Sequence, residues 1–410
     1  MTAPRLDLLR PRSPAAPPRL SCELHRLVAL LARSLCSHTR ASASMAQFPP
    51  SFHPVEHSIP HSVNPDSLPA SSLFALASSP PQESGSTHPP LPVLVFVHGY
   101  PQNHTLWQPV LDHLDAHTDL VKRFRILVPD LPGYGKSRKA LSPDGSHEAY
   151  SKREIGRDIL SLVDAVWPPS SSSSSDSHAK VVLIGHDRGA RVAYRLAKDS
   201  SERIVGLSVQ DIVPTTEQFK RMSYDNKRHA ASLGMYHWIF LATPPPLGEM
   251  LLLSSPTIGP WYARYSISAW TGPAFRSRTE VLSTPYGDTP SPLYAPELMD
   301  SWCEQYAEPD VVRGALEDYR AGASIDLVHD EAEDDEGRKV RCPLLALWCA
   351  GLERAGAPGE DVRKTWEARG PEGDRTRAKR VDKDGVGHFL PIEASDEVAN
   401  EVAEWVNRWF

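Results

Sequence analysis

The 410-residue chain has no excess of positive charge: 44 Lys and Arg stand against 51 Asp and Glu, a net charge of -7. No basic stripe stands out beyond residue 60, so a nucleic-acid partner is not expected. Cysteine is scarce. Cys22, Cys36, Cys303, Cys342 and Cys349 are odd in number and unpatterned, which argues against a disulfide framework or a zinc site and suits a reducing compartment. The apolar stretch Leu24–Leu35 carries Arg26 and Arg33 and is too short to span a bilayer. The glycine-rich turn Leu131–Ser137 lacks the spacing of a phosphate-binding loop. The expected partner is therefore a small molecule, with no nucleic acid and no membrane. Whether the chain pairs as a homodimer stays open.

Hydrophobic residues make up 40% of the chain and charged ones 23%, the balance of an ordinary globular protein. Residues 1–48 stand apart. Seven arginines between Arg5 and Arg40 face only Asp7 and Glu23, with Ser and Pro between them. The composition resembles an organellar transit peptide; a disordered extension, or a true start at Met45, fits it as well. The location expected is cytoplasmic, with mitochondrial the alternative if residues 1–44 are a transit peptide. From Pro49 to Pro90 the chain stays rich in Pro, Ser and His and reads as a partly disordered approach segment. Pro168–Ser177 reads as a serine-rich surface linker, and the acidic run Asp330–Glu336 as a solvated loop.

Between these lie short apolar runs that end in turn residues or carboxylates. Leu91–Val97 runs into His98-Gly-Tyr-Pro101, Arg125–Pro129 into Asp130, and Ile204–Gln210 into Asp211. Each suits a strand buried on both faces. Helical spacing follows at Ile155–Trp167 and Ala190–Ala197. From Val213 to about Ala315 the alternation stops, giving aromatics, prolines and helical stretches without clear strands. Strands resume at Cys342–Cys349, and Ser395–Phe410 is an amphipathic helix. The expected fold is α/β, a doubly wound and mostly parallel sheet. Its spans are 49–212 for the first part of the core, 213–315 for an inserted helical lid, and 316–410 for the second part.

The chain is organised around Lys180–Tyr194, a strand, a tight turn and a helix, with Gly185-His-Asp-Arg-Gly189 at the turn. Glycines on either side let strand and helix approach around a strained central residue whose side chain stands proud of the sheet. That residue is Asp187. A carboxylate is ionised near neutral pH and needs no base to attack an sp3 carbon, although an Asp after a strand also caps helices. Asp187, Asp211 and His388 follow the nucleophile, acid, His order of the α/β-hydrolase triad. Glu353, after a later strand, is the fallback for the acid.

Taken together, His98-Gly-Tyr-Pro-Gln-Asn103, Asp130-Leu-Pro-Gly-Tyr-Gly135, Gly185–Gly189, Asp211-Ile-Val-Pro214, His237-Trp238, Asp318-Tyr-Arg-Ala-Gly322 and Gly387-His-Phe389 resemble the haloacetate (fluoroacetate) dehalogenases of the α/β-hydrolase superfamily. Epoxide hydrolases and haloalkane dehalogenases are nearby relatives. The resemblance covers roughly residues 90–410. It implies that Asp187 displaces halide to form an alkyl ester, and that His388, held by Asp211, activates the water that hydrolyses it. Backbone N–H groups of Tyr100 and Arg188 would receive the oxyanion. Arg188 and Arg191 would grip the substrate carboxylate, and His237, Trp238 and Tyr319 would cradle the halide. No metal or organic cofactor is implied.

Each assignment has a plainer counterpart. His237-Trp238 read alone is a buried aromatic pair, and Arg191 a surface or ion-paired residue. Tyr319 equally suits a tyrosine that protonates an epoxide oxygen, with Tyr236 a poor second. His98 reads as a brace for the oxyanion loop and His186 as structural. Ala190 stands where the family more often has glycine, and the lid from Leu241 to Pro292 is long and proline-rich, which puts the choice of halide in doubt. An epoxide hydrolase, or a ligand-binding protein without turnover, are the alternative readings.

Overall fold

The computed structural model describes residues 48–60, 69–79, 91–169, 177–222, 233–284, 287–354 and 359–410. The arginine-rich extension, up to residue 47, and most of the serine-rich linker lie outside them. Strands β1 (His53–Ile59), β2 (Ser71–Ser78), β3 (Val93–Val97), β4 (Arg125–Pro129), β5 (Val181–His186) and β6 (Ile204–Gln210) come first. After an insertion that contains the hairpin β7 (Arg276–Thr284) and β8 (Gly287–Pro292), β9 (Leu344–Trp348) and β10 (Thr376–Arg380) complete an eight-stranded sheet of order β1-β2-β4-β3-β5-β6-β9-β10. β2 is antiparallel to β1 and β4. The remaining pairs are parallel.

The apolar runs become central strands because both faces of the sheet are covered. Successive side chains of a strand point to opposite faces. In β3, Val93, Val95 and Val97 therefore join one core cluster, and Leu94 and Phe96 the other. Helix α1 (Gln108–His117) covers the second face. Helices α2 (Lys152–Val166) and α3 (Arg188–Asp199) cover the first. α2 starts at Ser151, whose Oγ accepts the Glu154 N–H at 3.2 Å, a side-chain cap for an otherwise unpaired donor. The insertion carries α4 (Thr215–Met222), α5 (Tyr236–Leu241), α6 (Ile258–Trp270) and α7 (Pro309–Gly322), the last of which runs across residue 315. Then α8 (Ile325–Asp335) packs beside α4, and α9 (Ser395–Trp409) closes the chain on the second face, against α1.

Three expectations need correction. The segment 49–90 is not merely an approach: its described residues form β1 and β2, which extend the sheet, and Leu73, Phe74 and Ala75 of β2 are buried. The insertion is not free of strands, since β7 and β8 pair in it. The acidic run is no solvated loop; most of it belongs to α8. Asp330 and Glu333 are buried against α3, where the Arg195 guanidinium meets them at 3.4 and 2.5 Å. Like charges tolerate one helix face there because cations oppose them. Among the described residues no helix is long and apolar enough to cross a membrane.

Candidate active site

β5 delivers its last residue, His186, to the carboxyl edge of the sheet, where open α/β sheets bind ligands. Asp187 follows with φ +48°, a left-handed conformation that costs a non-glycine residue about 1–3 kcal/mol. Its neighbours explain why the chain turns so tightly. A Cβ on Gly189 would lie 2.2 Å from the His98 carbonyl oxygen, and one on Gly99 would lie 2.5 Å from Asp187 Cβ. Only glycine lets the two turns meet. The Tyr100 N–H, beside the first of them, donates to Asp187 Oδ2 at 3.0 Å.

Asp211 ends β6 in the same way, with φ +52°. Its Oδ1 accepts the Cys349 N–H at 2.8 Å, which leaves Oδ2 facing His388 Nδ1 at 2.7 Å. His388 Nε2 then points at Asp187 Oδ1, 3.8 Å away. The histidine's own backbone is fixed on both sides. Its N–H donates to the Trp270 carbonyl at 3.0 Å, and its carbonyl meets His186 Nε2 at 2.8 Å. Glu393 Oε2 steadies the loop by accepting the N–H groups of Gly387 and Gly272. Glu353 takes no part: its carboxylate meets Trp348 Nε1 at 2.9 Å and the Arg380 guanidinium at 3.3 Å.

These contacts set the charges. Burial alone would raise the Asp187 pKa, but His388, His186, Arg188 and Arg191 hold it below the ordinary carboxylate value. Burial would lower that of His388, yet the hydrogen bond and charge of Asp211 raise it. His98 is pushed down to about 4 by burial. It is therefore neutral. Its Nε2 accepts the Leu131 N–H at 2.9 Å, so its proton sits on Nδ1, facing the Gly99 carbonyl at 3.0 Å.

A cavity of about 250 Å3 opens over Asp187 and His388, and Arg191, His237, Trp238 and Tyr319 also line it. His237 is neutral, since burial pushes its pKa down to about 3. The Trp238 ring lies 5.8 Å from that of Tyr319 and 4.5 Å from the Arg191 guanidinium. Burial brings Arg191 down to about 10, which still leaves a cation at neutral pH. Its Nη1 donates to the Val213 carbonyl at 2.9 Å and to Thr215 Oγ1 at 3.3 Å, and its Nε is buried without a partner. Tyr236 lies away from the cavity and lines a separate surface groove.

The arginines differ. Arg188 is fully buried and does not line the cavity. Its Nε donates to Asp318 Oδ2 at 2.7 Å and its Nη2 to the Asp318 carbonyl at 2.5 Å, with the guanidinium 4.2 Å over the Tyr319 ring. Asp318 also accepts from Lys152 Nζ at 2.5 Å and from the Tyr134 hydroxyl at 2.9 Å. The Asp318 motif is visible in the sequence, but the task of its carboxylate is not. Neither is that of Trp270, whose ring lies 4.4 Å from His237 and 6.0 Å from His388. Nothing in the sequence marks a helix-end tryptophan as a cavity wall. Among the described residues no cluster of His, Cys, Asp or Glu is arranged to hold a metal ion.

Comparison with known proteins agrees with this architecture. Residues 94–401 match the Alpha/beta hydrolase family. The chain is 29% identical to the fluoroacetate dehalogenase of a Burkholderia species over 257 residues, 62% of this chain and 70% of that one. It is 23% identical to an epoxide hydrolase of Caballeronia sordidicola over 347 residues, 77% and 87% of the two chains. A solved structure from Nostoc sp. PCC 7120, assigned to the alpha/beta hydrolases, superposes with a TM-score of 0.63 at 27% identity, covering 87% of this chain and 98% of that one.

Proposed function

This chain is a hydrolase of the alpha/beta hydrolase family, and we propose that it cleaves the carbon–halogen bond of small 2-halo acids to give 2-hydroxy acids and halide. The observation that carries the reading is a carboxylate, Asp187, at the nucleophile position of a cavity that also presents the Arg191 guanidinium. A carboxylate there suits displacement at an sp3 carbon. A buried guanidinium suits a substrate that brings its own carboxylate.

The two oxygens of Asp187 divide the work. Oδ2 is held by the Tyr100 N–H, so Oδ1 attacks the carbon that bears the halogen, and the carbon–halogen bond breaks in line. The departing anion meets the Trp238 N–H, the Tyr319 hydroxyl and His237, donors in a site that keeps water away. Water then attacks Cγ of the new ester as His388 Nε2 takes its proton, and Asp211 stabilises the imidazolium. Negative charge builds on Oδ2, where the Tyr100 N–H already points. As the ester bond breaks, the product oxygen, formerly Oδ1, takes the proton back from His388. Arg191 holds the carboxylate, while Arg188, tied to Asp318, fixes Tyr319 from behind.

An epoxide hydrolase would use the same ester, but its paired tyrosines have one counterpart here: among the described residues, Tyr319 is the sole tyrosine of the cavity. Halide release from fluoroacetate and chloroacetate, run beside diol formation from styrene oxide, tests the choice. Halide without diol is the expected result. Diol alone would make the enzyme an epoxide hydrolase.

A further inference from the structure

Gln218 lies three residues after Thr215 on α4, hence on the same helix face, and Thr215 is where Arg191 Nη1 docks. Its side chain lines the catalytic cavity. It is 3% exposed, and its amide Nε2 has no hydrogen-bond partner. A buried N–H left unpaired is unfavourable unless something supplies an acceptor. A planar guanidinium already suits a carboxylate, so the acceptor Gln218 lacks is a different atom. There is room for one. At roughly 30 Å3 per water, the cavity of about 250 Å3 holds about eight waters, more than a two-carbon halo acid and one hydrolytic water need.

We propose that Gln218 is a specificity-determining residue, and that the preferred substrates are 2-halo acids whose carbon chain carries a hydrogen-bond acceptor, such as an ether or carbonyl oxygen, beyond the carboxylate. The inference rests on the halo-acid reading. A site built around a polar partner discriminates against an analogue that lacks it more strongly than an apolar site discriminates by size.

The test compares 2-chloro-3-methoxypropanoate with 2-chloropentanoate, in which a methylene replaces the ether oxygen. In the native protein the ratio of their kcat/KM values is expected to favour the ether about tenfold, the worth of one hydrogen bond. Gln218→Leu is expected to bring that ratio close to one, and Gln218→Asn to restore part of it. A native ratio at or below one overturns the inference, whether or not the variants fold, and so does a ratio that Gln218→Leu leaves unchanged. Chloride release from chloroacetate separates this from the reading beneath it. Release without an ether preference removes only the role of Gln218, whereas no release from any of the three acids removes the halo-acid reading as well.

Discussion

The carboxyl edge of the sheet and the insertion between β6 and β9 are built to opposite standards. At the sheet edge each of Asp187, Asp211 and His388 has at least one hydrogen bond to or through backbone. Two of these residues are held at positive φ, and their carboxylates take the N–H groups of Tyr100 and Cys349. In the insertion the side chains that face the cavity are held mostly by ring contacts, and His237 Nδ1, like Gln218 Nε2, is buried without a partner. The outer face of the insertion stays apolar. Of ten exposed large apolar side chains among the described residues, nine lie between positions 233 and 293. The rigid half thus fixes the Asp187, Asp211 and His388 geometry, while the insertion supplies much of the remaining cavity wall and Arg191 of α3 adds its guanidinium.

The sharpest break of this comparison is at the rigid half. Asp187→Asn removes the proposed nucleophile and is expected to lower kcat about ten-thousandfold or more, the scale seen when a covalent nucleophile is deleted. Comparable steady-state halide release from the purified variant would end the assignment. His388→Asn should stop turnover at the second step instead. The peptide that contains Asp187 is then expected to gain the mass of a carboxymethyl group after incubation with chloroacetate, and an unmodified peptide would count against the two-step scheme. The same histidine sets the pH profile. It must be neutral to act as base, and its pKa is raised by Asp211. Ester hydrolysis should therefore fall as pH drops through a value above the ordinary 6.5 for histidine, while Asp187, its pKa lowered, stays ionised.

A second break falls on the joint between the halves. Asp318 is where the α7 helix of the insertion takes hold of Arg188 from α3 and Lys152 from α2. Removing one partner of a buried ion cluster leaves uncompensated charge and costs about 3–5 kcal/mol. Asp318→Asn should lose that much in denaturant unfolding, and a change under about 1 kcal/mol would mean that the Lys152 and Arg188 cations are solvated after all. Within the insertion, Tyr319→Phe removes one donor from the proposed halide cradle. A loss of about 10- to 100-fold in kcat is expected, less than for a full oxyanion donor, and it should be larger for fluoride, the poorest leaving group. An equal loss for fluoride and chloride would argue that the hydroxyl only packs.

Legibility followed the same divide. β3, β4, β5, β6 and β9 could be read because a strand buried on both faces leaves an unbroken apolar run. Asp187 and Asp211 could be read because each stands at the end of one. β2 was hidden because Ser71-Ser-Leu-Phe-Ala-Leu-Ala-Ser78 gains its order from pairing with β4, a partner about fifty residues away. α8 was hidden because Arg195, which neutralises its acids, lies on another helix. Gln218 and Trp270 were beyond reach for a related reason. In a helix such residues read as ordinary side chains, and only the tertiary packing decides that they face a cavity.

The smallest expected effect is the most discriminating for the rigid half. Sequence order alone left Glu353 as a second candidate for the acid that holds His388, since it follows β9 by a few residues. Its carboxylate is instead engaged by Trp348 Nε1 and Arg380, while Asp211 sits 2.7 Å from His388 Nδ1. Glu353→Gln keeps an acceptor for the indole and gives up one partly exposed ion pair, a contact worth about 0–1 kcal/mol. Halide release by that variant should stay within about twofold of the native rate across the pH range, whereas Asp211→Asn should shift the profile and lower the rate by orders of magnitude, because the imidazole loses both its tether and its counter-charge. If the two variants fell together, the triad would have to be rebuilt with Glu353 in a rearranged loop after β9, and the rigidity ascribed to the sheet edge would not hold at β9.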